Sequence, residues 1–180
     1  MKTEKSETVT GYDILIDDSV WGFPLGGVLE GAYSFKQDRF ITEIIGLEHF
    51  RHPNFKQKTY LSAIANASLR MVNELGAEKN DRILVCRGYC NIGIKILLHS
   101  HGFTNVSNGV IGEPLQTLLE DEAVNYIKSL GYDNYYDPKG MQAKSIVSNF
   151  NGVMKWVIDN NRFDLCKTGW KYFLEKRYLK

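Results

Sequence analysis

This sequence predicts an α/β domain: three antiparallel strands open it, helix and strand alternate behind them, and a helical extension closes it. Three observations carry the expectation. Apolar, β-rich segments at 12–17, 27–35 and 40–46 follow one another with only turns between them. An amphipathic stretch at 59–75 then gives way to a compact apolar run at 82–86 and to further helical patterns. At 180 residues, with 43% hydrophobic and 24% charged side chains, the chain has the length for one core and an ordinary globular mix.

Residues 1–11 are polar and read as a flexible lead-in. The first strand, 12–17, ends in Asp17, Asp18 and Ser19, and Gly22, Pro24, Gly26 and Gly27 supply the connection to the second. The cluster at 36–39 turns the chain into the third strand. A polar segment, 49–58, leads to the first helix, where Leu61, Ile64, Ala65, Ser68, Val72 and Leu75 share a face and Gly76 stops the run. The apolar run 82–86 suits a buried strand, and Gly88 and Tyr89 open a second helix ending near Gly102. Residues 103–111 form the least marked strand. The third helix starts with Pro114 near its first turn, runs through Leu130 and stops at Gly131. A Tyr/Asp/Pro loop follows to residue 140, then a fourth amphipathic helix at 141–159 and an aromatic, basic tail. The expected organisation is therefore 1–11, a domain at 12–131, and an extension at 132–180 packed on it.

Several functional classes recede. A formal charge of +1 gives no global pull on nucleic acid, so such binding needs a local patch. Cys86, Cys90 and Cys166 form no Cys-x-x-Cys pair and read as reduced thiols. With no apolar leader and no run near the roughly 18 apolar residues of a membrane span, the expectation is a cytoplasmic protein without a membrane partner. No P-loop is present, and His49, His52, His99 and His101 are spaced too loosely for a metal cluster.

The strand ending in Asp17-Asp18-Ser19, followed by a glycine-rich turn and a second strand, resembles the first hairpin of the ribonuclease H-like superfamily. That family's strand ends in Asp-Gly-Ser, and its element order also fits residues 12–130. The resemblance implies a mixed sheet with strands 1–3 antiparallel, and a divalent-metal-dependent nuclease acting on RNA or DNA with Mg2+ or Mn2+. It places a metal ligand on Asp17, while Asp18 takes the glycine position and is read as solvated. Hard cations favour carboxylate oxygens, and a bound metal generates the attacking hydroxide. The competing reading is that Asp17 and Asp18 are turn residues bonding their own backbone.

The family also puts an acid on the last helix of its core. On the third helix, Glu122 lies on the stripe with Leu118, Leu119 and Tyr126, so it is the expected partner of Asp17, with Asp121 next. Two family acids have no counterpart: the first helix opens without one, and Arg87 stands near the end of the fourth strand. Glu43 and Glu30, each interrupting an apolar strand, are candidate replacements, although a solvated strand face is the commoner use. Loss of two ligands keeps a second class in view: a degenerate module that binds nucleic acid or protein without cutting.

Arg87 and Gly88 suit a phosphate site, with guanidinium and free backbone N–H groups at a helix start. The alternative is that Gly88 only permits a turn and Arg87 pairs with an acid such as Asp17. A nucleotide binder built on Arg87 is a third, weaker option. In the tail, basic residues interleave with Phe163, Trp170, Tyr172 and Phe173. That pattern fits a single-strand clamp, but packing on the domain, or on a second copy in a homodimer, is the more frequent use of such rings.

Overall fold

The computed structural model describes residues 11–133 and 143–176. Its strands are β1 (Ile14–Ser19), β2 (Val28–Ser34), β3 (Arg39–Ile45), β4 (Arg82–Cys86) and β5 (Asn105–Gly109). Its helices are α1 (Thr59–Glu74), α2 (Ile94–Ser100), α3 (Leu115–Ser129), α4 (Ala143–Asp159) and α5 (Lys171–Lys176). The strands form one open mixed sheet in the order β3-β2-β1-β4-β5. β1–β2 and β2–β3 are antiparallel, whereas β1–β4 and β4–β5 are parallel.

Alternation along β1 divides the core in two. Ile14 and Ile16 face a layer built on Ile64, Val72 and Leu98 of α1 and α2. Leu15 faces the opposite layer, built on Leu115, Leu119, Ala123 and Ile127 of α3 with Val153 and Val157 of α4. The α3 residues recur every fourth position and stay fully buried because they lie directly over the sheet. Among the described residues, no helix is long and apolar enough to cross a membrane.

Two elements depart from expectation. The first strand starts at Ile14 and continues through both acids, because its ladder with β2 extends to Ser19 opposite Leu29. Pairing, not side-chain polarity, sets the strand's end. The second helix does not open at Gly88 and Tyr89: a 3₁₀ turn occupies Tyr89–Asn91, and α2 begins only at Ile94.

The C-terminal segment packs into the second core. Cys166 and Phe173 are fully buried there beside Leu25 and Leu29. Leu25 and Cys166 form a β-bridge, Gly26 N–H donates to Leu165 O at 2.8 Å, and Lys167 N–H donates to Pro24 O at 2.9 Å. Most of the loop expected at 132–140, the lead-in at 1–10, and tail residues Arg177, Tyr178 and Lys180 lie outside the described residues.

The turn between β1 and β2 needs its glycines. A Cβ on Gly27 would stand 1.8 Å from Ile45 O, and Gly26 adopts φ +69° under Tyr126. Val20 also has a positive φ, 57°, although it is β-branched and buried. That conformation costs on the order of 1–3 kcal/mol and persists only where surrounding structure holds it.

Candidate active site at the end of the central strand

Because β1 runs through both acids, the two carboxylates leave opposite faces of the sheet. Asp17 points to the α3 side. Its Oδ1 accepts the Asp18 N–H at 2.8 Å, and the Cys86 thiol bonds it from the neighbouring end of β4. Burial pushes its pKa up from 3.8 to about 6, against the relief that Cys86 gives, and the charges of Asp18 and Glu120 raise it further. The Cys86 thiol is itself driven up to about 12 by burial and by Asp17, so it stays protonated and serves as a donor.

Asp18 is not solvated. It points to the α1 side, opposite Glu30 of β2, and its Oδ1 accepts Cys90 Sγ–H at 2.9 Å and Asn91 Nδ2–H at 3.0 Å. Glu30 has no exposed surface, and Ser68 of α1 donates to its Oε1 at 3.0 Å. Burial first, then the Asp18 charge, lifts the Glu30 pKa well above the usual carboxylate range. Burial also raises Asp18, opposed by Cys90, Asn91 and Lys167. Glu30 Oε2 and Asn91 Oδ1 have no hydrogen-bond partner. Glu30 is therefore an interior acid whose neutral form burial favours, and not a strand-face residue in water.

Lys167 has no exposed surface, and its ammonium donates to the carbonyls of Val20, Trp21 (3.3 Å) and Phe23 (2.8 Å). Three acceptors match the three N–H groups of an ammonium. Burial lowers its pKa to about 7, opposed by the Asp18 and Cys90 charges. The ammonium thus braces the strained Val20 turn directly after the acids. The sequence presents Lys167 as one cation in a basic tail, with no local signal of burial.

The remaining expected residues are distributed differently. On α3, Glu120 is the acid whose charge reaches Asp17. Glu122 lies instead in a groove with Leu29, Thr42 and Glu43, towards the β3 edge. Asp121 is exposed. Glu43 forms a two-point ion pair with Arg70 of α1, its Oε2 accepting Arg70 Nε at 3.1 Å, so its charge is already matched. Arg87 is exposed and makes no ion pair among the described residues, so it does not neutralise Asp17. Gly88 lies against Asp18, where an added Cβ would stand 3.5 Å from Oδ1. The helix-start phosphate site is lost there, because the 3₁₀ turn after Gly88 is only three residues long.

Among the described residues, no group of three His, Cys, Asp or Glu side chains could hold a metal. An all-protein cage or a two-ion centre therefore does not fit. Asp17 and Glu120 are two carboxylates close enough for the charge of one to raise the pKa of the other, and a magnesium or manganese ion needs only one or two carboxylates beside its waters and substrate phosphate oxygens. A scan of the chain against protein-family models finds no match, and a search of curated proteins finds no relative.

Proposed function

We propose that this chain is a divalent-metal-dependent phosphodiester hydrolase of ribonuclease H-like type acting on nucleic acid. The observation that carries the reading is the half-buried Asp17 near the C-terminal end of the central strand, with Glu120 of α3 on its side of the sheet. The antiparallel β1–β2–β3 opening and the parallel β4 and β5 fit the architecture that the resemblance implies. Asp17 and Glu120 would hold the ion. When bound, it supplies charge stabilisation of the phosphate and a lowered pKa for the attacking water.

The protein's own part is positional. The Asp18 N–H and the Cys86 thiol fix the Asp17 carboxylate, leaving its orientation independent of substrate. Asp17 must be ionised to act as a ligand, and its raised pKa keeps it a strong base towards a cation. Arg87, exposed one residue beyond Cys86, would meet a phosphate of the bound strand.

A second reading, a non-cleaving module of the same architecture, is favoured by one specific feature. At the end of β4 the acid of the resembling family gives way to a protonated thiol and a cation, Cys86 and Arg87. One experiment separates the two. Labelled RNA, DNA and hybrid substrates are incubated with manganese and either wild type or Asp17→Asn. Cleavage by wild type and not by the variant supports the hydrolase; no cleavage by folded wild type refutes it in favour of the binding module.

A further inference from the structure

The two outer strands of the sheet are built differently. β5 is five residues long, largely polar and ends in Gly109, which blunts that edge. β3 is seven residues long and carries Phe40, Ile41, Thr42, Ile44 and Ile45, all of which favour extended pairing. Its inner edge pairs with β2 without a break from Arg39 to Ile45. Among the described residues, no hydrogen bond reaches the backbone of its outer edge, and Ile44 is 50% exposed. An unblunted edge of this kind is a template for one more strand.

The side chains select which strand fits. Alternation puts Arg39, Ile41 and Glu43 on the α1 face of the sheet. Ile41 packs against that layer, Arg39 pairs with Glu74 of α1, and Glu43 accepts Arg70 Nε at 3.1 Å. The face reads cation, apolar, anion, an order that becomes its own complement when the direction is reversed. A second β3 laid antiparallel about Ile41 sets the two Ile41 side chains opposite one another and each Arg39 opposite the other copy's Glu43. Directly opposed residues have Cβ atoms about 4.5–5.5 Å apart, within reach of an ion pair. Both side chains are still partly exposed, so each contact would complete a row of alternating charge through Glu74, Arg39, Glu43 and Arg70. Pairing about Thr42 instead would set Glu43 against Ile41 and lose both ion pairs.

We propose that β3 is a self-association edge, at which a second copy of this chain adds its own β3 antiparallel and joins the two sheets into one. The contact uses the same patch on both copies, so it closes as a two-fold dimer. Two antiparallel steps make β3 run in the direction of β1, so the two-fold sends the two acid-bearing ends of β1 to opposite ends of the joined sheet. The dimer is therefore independent of the chemistry proposed for those ends. One strand pair is a small interface, of the weak and concentration-dependent class.

The test is sedimentation equilibrium of the full chain from about 5 to about 500 µM, with a dimer dissociation constant expected on the order of 100 µM. Arg39→Glu alone and Glu43→Arg alone each place like charges opposite one another at both ends of the pairing, and each is expected to weaken the dimer about ten-fold or more. Mixing the two variants sets the acids of one against the bases of the other and is expected to restore association as a heterodimer. Amide hydrogen exchange at 39–43 is expected to slow as wild type associates. Both substituted side chains are partly exposed, and thermal melting checks that each variant is folded. A wild-type monomer across the whole range, a dimer that both variants leave intact, or a mixture that stays monomeric overturns the proposal. A dimer whose exchange at 39–43 does not change overturns it too, because its contact lies elsewhere.

Discussion

Replacing Asp17 by Asn changes how stability depends on pH, by an amount set by the burial of one carboxylate. The native Asp17 pKa is about 6, against 3.8 for the ordinary value. Between those pH values the folded protein binds a proton that the unfolded chain releases, so stability falls as pH rises through the window. At about 1.4 kcal/mol for each pH unit, the loss is roughly 3 kcal/mol by neutral pH. Asn removes the titration yet keeps an oxygen to accept the Asp18 N–H and the Cys86 thiol. The variant should therefore be close to wild type near pH 3.5 and more stable by roughly 2–3 kcal/mol at pH 7, or about 5–10 °C in melting temperature for a chain of this size. The assay is urea unfolding of both proteins from pH 3.5 to 7.5 in chelator, so that no cation neutralises the site. Glu30 and Asp18, also raised, add slopes of the same sign to both proteins, and losing the Asp17 charge eases Glu30 in the variant, which shifts the difference in the same direction. A wild-type-minus-variant difference that stays flat across the window refutes the argument that Asp17 is held at a desolvation cost.

Lys167→Met should destabilise the protein by roughly 2–4 kcal/mol, read by urea unfolding, because the carbonyls of Trp21 and Phe23 lose their charged donor. Val20 O retains the Phe23 N–H at 3.1 Å, which limits the loss. Glu120→Gln should abolish manganese-dependent cleavage while Glu122→Gln leaves it within about two-fold, since only Glu120 reaches Asp17; the reverse pattern would reassign the second ligand. Gly27→Ala should cost about 3 kcal/mol or more in the same unfolding assay, because its Cβ meets the Ile45 carbonyl and not a side chain that can move away. Arg70→Ala, which breaks the exposed pair with Glu43, should change stability by less than about 1 kcal/mol.

The parts of this fold that depend on local pattern were legible in the sequence. β4 lies where the apolar run 82–86 placed it, and α1 spans Thr59–Glu74, within one residue of the expected helix. What depends on a partner element was not legible. Nothing in Asp17-Asp18-Ser19 says that a ladder to β2 carries the strand on to Ser19, yet that ladder buries Asp18 beside Glu30. The choice between Glu120 and Glu122 is a choice of how α3 is rotated on the sheet. The buried stripe of Leu115, Leu119, Ala123 and Ile127 leaves both acids on its flanks, and only packing decides which flank meets β1. The alternation of β2 did mark Glu30 as an interruption of an apolar face, the one signal that pointed into the buried acid cluster.

The brace on the Val20 turn has a consequence for how the protein is made. Phe23 and Lys167 are 144 positions apart, yet one bonds the other beside the acids. During synthesis the first hairpin leaves the ribosome long before the ammonium that organises its bend. The sheet strands are all present by residue 109, so a nascent chain can pair them while the acid-bearing edge is still unfinished. Such a long-range closure is late and slow to form. The order of emergence therefore delays assembly of the acid edge until the segment carrying Lys167 has docked, and a chain halted before Lys167 would carry a sheet without a completed edge.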